Sequence, residues 1–187
     1  MQPKIRAYWV ATCQDKQGAV LWRKRCWARS YVIALLDMLA VQFLNISLAI
    51  KDITNTSQTV SPLASNFRVS GTAAGNVIHH IVVGIGTNAV ALTNYALQTQ
   101  IGEGTGSGQL SYQAGAQVIP FTSGSTRKFQ LTRSFVNNSG ASITVQEVAI
   151  YAYGSLFDLC LERSLTGGWA VGNGQTLAVT YELSLTV

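Results

Sequence analysis

Thr176-Leu177-Ala178-Val179-Thr180-Tyr181-Glu182-Leu183-Ser184-Leu185-Thr186-Val187 alternates larger apolar residues with small or polar ones at every step. Successive side chains of an extended chain point to opposite faces, so Leu177, Val179, Tyr181, Leu183, Leu185 and Val187 share one side and predict a strand with one buried face. Working back from this stretch, residues 128–136, 142–153 and 156–165 read as three further strands. Asn137-Asn138-Ser139-Gly140 joins the first two, and Gly167-Gly168 with Gly172-Asn173-Gly174 is expected to interrupt the path to the last. Strands at this spacing, separated by turn residues, predict a mainly β fold: a jelly-roll or Ig-like antiparallel β-sandwich.

The first fifty residues read differently. Residues 4–12 and 19–28 form a predicted hairpin around Asp15-Lys16-Gln17-Gly18, because Asp opens turns and Gly closes them. In its second strand Val20, Trp22, Lys24 and Cys26 share one face, and Arg23, Arg25, Trp27 and Arg29 the other, a basic and aromatic ladder. Ser30 is a suitable N-cap for a helix over residues 31–44 that is apolar nearly all round except at Asp37, with Asn45 as its left-handed C-cap. A strand is expected over 46–50. Residues 52–76 are rich in Thr, Ser and Asn and read as a linker or wide loop holding a short strand at 66–70. A buried strand over 77–83, a helical turn or two at 93–100 and a glycine-dense loop at 102–108 complete the reading. The expected organisation is an assembly arm over 1–51, a linker over 52–76 and a β-sandwich over 77–187.

Composition narrows the function. Of the 187 residues 48% are apolar and only 11% charged, against a usual charged share of about 25%. So few charges suit a chain that buries much of its outside against copies of itself. The charge is also lopsided: Lys4, Arg6, Lys16, Arg23, Lys24, Arg25 and Arg29 face only Asp15 before residue 30, while the remainder is nearly balanced. That excess calls for an acidic partner: nucleic acid, an anionic lipid surface or a neighbouring subunit. Trp22 and Trp27 among the cations could stack on bases while the cations hold phosphates, although packing on a sheet is the commoner role of such residues.

Chemistry-bearing motifs are sparse. Cys13, Cys26 and Cys160 lack CxxC spacing; Cys13 and Cys26 could face each other across the hairpin, but small buried thiols are the commoner outcome. His79 and His80 are adjacent, hence on opposite faces of a strand and poorly placed to share a metal. The glycines at 84, 86, 102, 104, 106 and 108 form neither a dinucleotide fingerprint nor a Walker loop and read as turns. Glu147, Asp158 and Glu162 lie on adjacent predicted strands, with the last two on one face, so a carboxylate pair is conceivable; solvated strand positions, or ion pairs with Arg163 and Arg133, are the commoner arrangements. No catalytic motif is present, and neither an enzyme nor a cofactor is expected. Residues 7–10 are too short for a signal peptide. Residues 31–50 are long enough to cross a bilayer, but Asp37 and Gln42 interrupt them, which argues against a membrane anchor. The sequons at Asn45, Asn55 and Asn137 matter only in a chain secreted by a eukaryote.

The run Thr132-Arg133-Ser134-Phe135-Val136-Asn137-Asn138-Ser139-Gly140-Ala141-Ser142-Ile143-Thr144-Val145-Gln146-Glu147-Val148-Ala149-Ile150-Tyr151 resembles a recurring segment of tailed-bacteriophage structural proteins, with Ala149 in place of their usual glycine. Ile81 to Thr87, Tyr95-Ala96-Leu97 and Gly174 to Tyr181 are similar to the same group, so the resemblance covers roughly residues 77–187. It implies a virion component, such as a capsid decoration, tail or fibre protein, or a filament. Together with the composition it leads us to expect a noncatalytic structural protein that self-assembles into a homo-polymer or ring, alone or with other virion proteins. Trp22, Trp27, Leu35, Leu36, Leu39 and Phe43 are the expected subunit contacts, and Arg23, Lys24, Arg25 and Arg29 the expected contacts to an anionic partner. Two alternatives are a glycan- or receptor-binding module, with Tyr112 and Trp169 presented by loops, and a membrane-anchored surface protein.

Overall fold

The computed structural model describes residues 4–187. The chain is mainly β, with antiparallel sheets and a single helix among the described residues. The strands are β1 (Lys4–Gln14), β2 (Val20–Trp27), β3 (Leu48–Lys51), β4 (Ser57–Val60), β5 (His80–Gly84), β6 (Ser111–Tyr112), β7 (Ala116–Ser123), β8 (Thr126–Val136), β9 (Ile143–Gly154), β10 (Phe157–Val171) and β11 (Thr176–Thr186), and the helix is α1 (Ile33–Leu44). One sheet runs in the order β2-β1-β11-β8-β6, with β7 pairing the same edge of β8 further along; a second runs β10-β9-β5; β3 and β4 form a separate hairpin.

The alternation in β11 organises the first sheet. Leu177, Val179 and Tyr181 are buried, as are Ala7, Trp9, Ala11 and Cys13 of β1 and Leu131 and Phe135 of β8 on either side. This face packs on the second sheet, an arrangement compatible with a β-sandwich. Trp9 Nε1 donates to Glu162 of β10 at 3.0 Å, and Trp22 Nε1 to the Ala170 carbonyl at 3.1 Å. In the second sheet β9 is buried at every residue from Glu147 to Ala152, and β10 from Leu159 to Ser164, the mark of a sheet covered on both sides.

The predicted hairpin is present, and its first strand pairs with β11 from Lys4 to Gln14, so the segment expected as an arm is built into the sheet of its own chain. Residues 52–76, expected as a linker, contain β4 and a packed loop: Asn66 and Thr72 are buried, and Phe67, at φ 64°, takes the place of the expected short strand. Residues 93–100 form no helix; the segment runs beside β5, with a bridge between Gly84 and Gln100. α1 begins two residues later than expected. Val32 is its N-cap without a side-chain bond, because the Ser30 carbonyl accepts from Arg163 N and the Ile33 N–H donates to the Leu92 carbonyl.

Two connections expected as simple turns have other roles. Asn137-Asn138-Ser139-Gly140 links strands of different sheets, and the fully buried Asn137 donates from Nδ2 to the Ala141 and Val171 carbonyls at 2.8 and 2.7 Å. Its backbone carbonyl accepts from Gly174 N, so both crossings between the sheets, β8 to β9 and β10 to β11, meet at this residue. Gly167-Gly168 does not end a strand: with φ of 70° and 91° it makes an irregularity inside β10, after which Trp169 pairs with Val145.

Asn45 closes α1 at φ 54° and ψ 46°, as expected. This left-handed conformation is costly for a residue with an ordinary Cβ and tolerated by Asn and Gly. Asn45→Ala is expected to lose about 1 kcal/mol of stability and Asn45→Gly to retain or exceed the original value, read as shifts of the urea midpoint.

Candidate functional site

Three groups of side chains were candidates for function, and the structure places each differently. The carboxylates do not pair. Asp158 is opposite Tyr153 and Cys160 opposite Tyr151, but after a bulge at Leu161 it is Glu162 that stands opposite Ile150. One extra residue reverses the faces of everything beyond it. Asp158 therefore meets His79, with Oδ1 2.6 Å from Nδ1, while Glu162 points at the first sheet.

Glu162 is almost wholly buried among Trp9, Ser164, Tyr31 and Tyr181, beside a largely apolar cavity of about 240 Å³ between the sheets. Burial pushes its carboxyl up to about 8, only partly offset by hydrogen bonds from Ser164 and Trp9. It is therefore mostly protonated at neutral pH. Burial also raises the Cys26 thiol to about 11, with the nearby Glu162 charge adding to the effect. Cys13 and Cys26 are not opposed, standing across from Trp22 and Trp9 respectively, and all three cysteines are free.

Glu147 and Arg163 make the ion pair that was one of the expected alternatives. The bulge brings Arg163 opposite Ala149, onto the face of Glu147, and its Nε donates to Glu147 Oε2 at 2.7 Å with both side chains buried. Glu147 also accepts from the backbone N–H groups of Gly86, Gln98 and Thr99, and Arg163 reaches Asn94 Oδ1 and the Asn88 carbonyl. The pair thus anchors residues 86–99 on the second sheet. Gly84 and Gly86, expected as turn glycines, are there for space: a Cβ on either would stand 2.6 or 2.5 Å from Glu147 Oε1.

Arg133, the other expected ion-pair residue, has no carboxylate partner among the described residues. It is buried and donates to the carbonyls of Gln113, His79, Ile81, Ala73 and Asn76, pinning two loops and the start of β5 to β8. Nothing in its spacing announces this; a lone Arg on the buried face of an alternating strand was the available signal. His80 lies beside it with its ring against Gly115, and burial followed by the Arg133 charge lowers its pKa to about 4, keeping the imidazole neutral. His79 and His80 face different surroundings, and no cluster of three His, Cys, Asp or Glu among the described residues could hold a metal.

The loop-borne glycan contacts are overturned. Tyr112 and Trp169 are each only 1% exposed. Tyr112 stacks edge-on against Phe135 and donates to the Ile101 carbonyl at 2.7 Å, and Trp169 is drawn into the core by the glycine irregularity before it. No helix of the described residues is long and apolar enough to cross a membrane: α1 spans 12 residues of the 20 weighed for that role.

The remaining candidates lie on the surface. α1 buries Ala34, Met38 and Val41, half-buries Leu35 and Leu39, and turns Leu36 (63% exposed), Phe43 (80%) and Leu44 (65%) outward. In β2, Trp22 and Lys24 turn toward the second sheet, where Lys24 Nζ donates to the Gly168 carbonyl at 2.7 Å. Arg23, Arg25 and Trp27 occupy the opposite, outer face, and Arg29 follows beside Trp27. Arg25 lies 3.4 Å over the Tyr8 ring, which in turn stacks on Trp27 at 4.3 Å. The predicted ladder therefore exists, with Trp22 and Lys24 removed from its outer side. No family model, curated protein or solved structure matches the chain.

Proposed function

We propose that this chain is a noncatalytic structural protein that assembles with copies of itself, as a component of a phage-like virion or of an extracellular filament. The observation that supports the reading is the second apolar face of α1. Ile33, Leu36, Phe43 and Leu44 recur at helical spacing on the side away from Ala34, Met38 and Val41, and all four are exposed. A helix in contact with its own chain on one face and apolar on the other gains by burying the second face against protein. A second copy carrying the same stripe supplies a matching surface, with the half-buried Leu35 and Leu39 of the same helix as neighbouring contacts.

Sedimentation velocity of the purified chain beside Leu36→Asp/Phe43→Asp tests this. The unaltered chain is expected to sediment as oligomers or longer assemblies. The double variant, whose two aspartates sit on exposed positions, should remain folded by circular dichroism and sediment as a monomer. Assemblies of unchanged size in the variant, or a monomeric unaltered chain, would remove the proposal.

A further inference from the structure

The outer face of the first sheet carries a feature that self-association does not use. Strand register sets out its rows: Trp27, Tyr8, Glu182, Gln130 and Val118 in one, Arg25, Val10, Thr180 and Thr132 in the next, Arg23, Thr12, Ala178 and Ser134 beyond it, and Arg6, Ser184 and Lys128 on the other side. A cleft of about 540 Å³ opens on this face between Val10, Arg23, Lys24, Arg25, Lys128 and Glu182. With the Lys24 ammonium turned to the other side, Arg23, Arg25 and Lys128 share this cleft with one carboxylate, which is already bonded to Lys128 Nζ at 3.0 Å and Gln130 Nε2 at 2.8 Å, with Arg25 at 3.8 Å.

The counter-charge for this face is not available within the chain. Of its eight carboxylates, Asp15 caps the β1–β2 turn, Asp52 holds the turn at 54–58, Glu103 accepts from Tyr112 N, Glu147, Asp158, Glu162 and Glu182 are engaged as described, and Asp37 lies on α1, outside this sheet. A second copy docked through the same face brings the same cation excess and, among the described residues, no carboxylate there beyond Glu182, so docking copies on this face would set like charge against like. The face fits a polyanion of different chemistry. Its exposed cations are mainly arginines, whose planar forks match phosphate oxygens. They sit in a run of stacked planar groups, Arg25 on Tyr8, Tyr8 on Trp27, and Arg29 with its guanidinium 6.0 Å from the Trp27 ring centre. Trp27 is 46% exposed, which leaves part of its ring open to an unpaired base.

We infer that the outer face of the β2-β1-β11-β8 sheet binds single-stranded nucleic acid, its backbone along Arg6, Arg23, Arg25 and Lys128 and a base against Trp27. This inference does not rest on the assembly reading. It is tested by fluorescence anisotropy of a labelled oligothymidylate with the full chain, beside a duplex of equal length, inorganic polyphosphate and phosphatidylserine vesicles. With four phosphates engaged at about 0.7 counterion each, affinity for the oligothymidylate should fall about 50-fold between 50 and 200 mM salt.

Arg23→Ala/Arg25→Ala should lower the slope of log affinity against log salt by about 1.4. Arg23→Glu, at an exposed residue with no hydrogen bond or ion pair among the described residues, should weaken binding without disturbing the fold. Trp27→Ala should weaken oligothymidylate binding about tenfold, the stacking contribution of one base, and leave polyphosphate binding unchanged. Failure to bind the oligomer, equal affinity for the duplex, binding to vesicles in its place, or indifference to the Arg23 and Arg25 variants would each overturn the inference.

Discussion

Arg163→Met is expected to cost about 3–5 kcal/mol of folding stability, read as a lowered urea midpoint with an unchanged slope. The substitution keeps an unbranched apolar stem but leaves Glu147, whose side chain is wholly buried, without its positive partner. The three backbone N–H groups of Gly86, Gln98 and Thr99 still reach that carboxylate, but they are dipoles in place of a charge. Asn94 and the Asn88 carbonyl lose their donors in the same step, so the loop over residues 86–99 should show the largest gain in amide hydrogen exchange. Glu147→Gln added to Arg163→Met should recover part of the loss, because it removes the unpaired charge. A loss below about 1 kcal/mol would mean that the pair is no more than a surface bridge in energy, which its burial contradicts.

The strands with one buried face, β1, β8 and β11, were legible because burial writes itself into a period of two, and they lie close to their expected limits, as do β2 and β9. β7 was not anticipated: all its residues from Ala116 to Ser123 are exposed, so Ala-Gln-Val-Ile-Pro-Phe-Thr-Ser carries no alternation to read. Its Pro120 falls between Val118 and Phe121, where the pairing with β8 is irregular and no ladder donor is needed. The end of β10 was lost for a related reason. Gly167 and Gly168 look like a turn by composition, and only the strand beside them decides that they form an irregularity.

The polar centres show the same limit more sharply. Parity along residues 156–165 put Asp158 and Glu162 together, and one bulge at Leu161 separated them and delivered Arg163 to Glu147 in exchange. Residue type announced that Glu147 needed a cation, but which cation depended on a register that composition does not encode. Arg133 lay further out of reach, since its partners are five backbone carbonyls, groups that every residue possesses. The surface candidates were the most legible because they need no partner within the chain. The helix apolar on two sides and the ladder of alternating cations are both excesses over what one fold consumes.

Glu162 supplies the second large effect, and its sign follows from where the proton resides. The carboxyl has a pKa of about 8 in the folded chain, against 4.5 when unburied. Below 4.5 both states carry the proton and its burial has no pH-dependent cost. Between 4.5 and about 8 the unfolded chain has released the proton while the folded chain retains it, so stability falls as pH rises and then levels off. Each unit of separation is worth about 1.4 kcal/mol, which makes this one side chain a leading source of alkaline weakness.

Glu162→Gln should abolish that decline, since the amide carbonyl can still accept from Trp9 Nε1 and its NH2 can face Ser164. The variant should match the parent near pH 4.5 and exceed it by several kcal/mol at pH 9 in urea titrations. The acid limb should be shared. Glu182 is lowered because the hydrogen bonds of Lys128 and Gln130 outweigh the burial that would raise it, so its contribution is lost as pH falls in both proteins. Parallel curves for parent and variant between pH 5 and 9 would show that Glu162 is ionised in the fold, and would place a charge, where a neutral acid is expected, beside Trp9 at the junction of the two sheets.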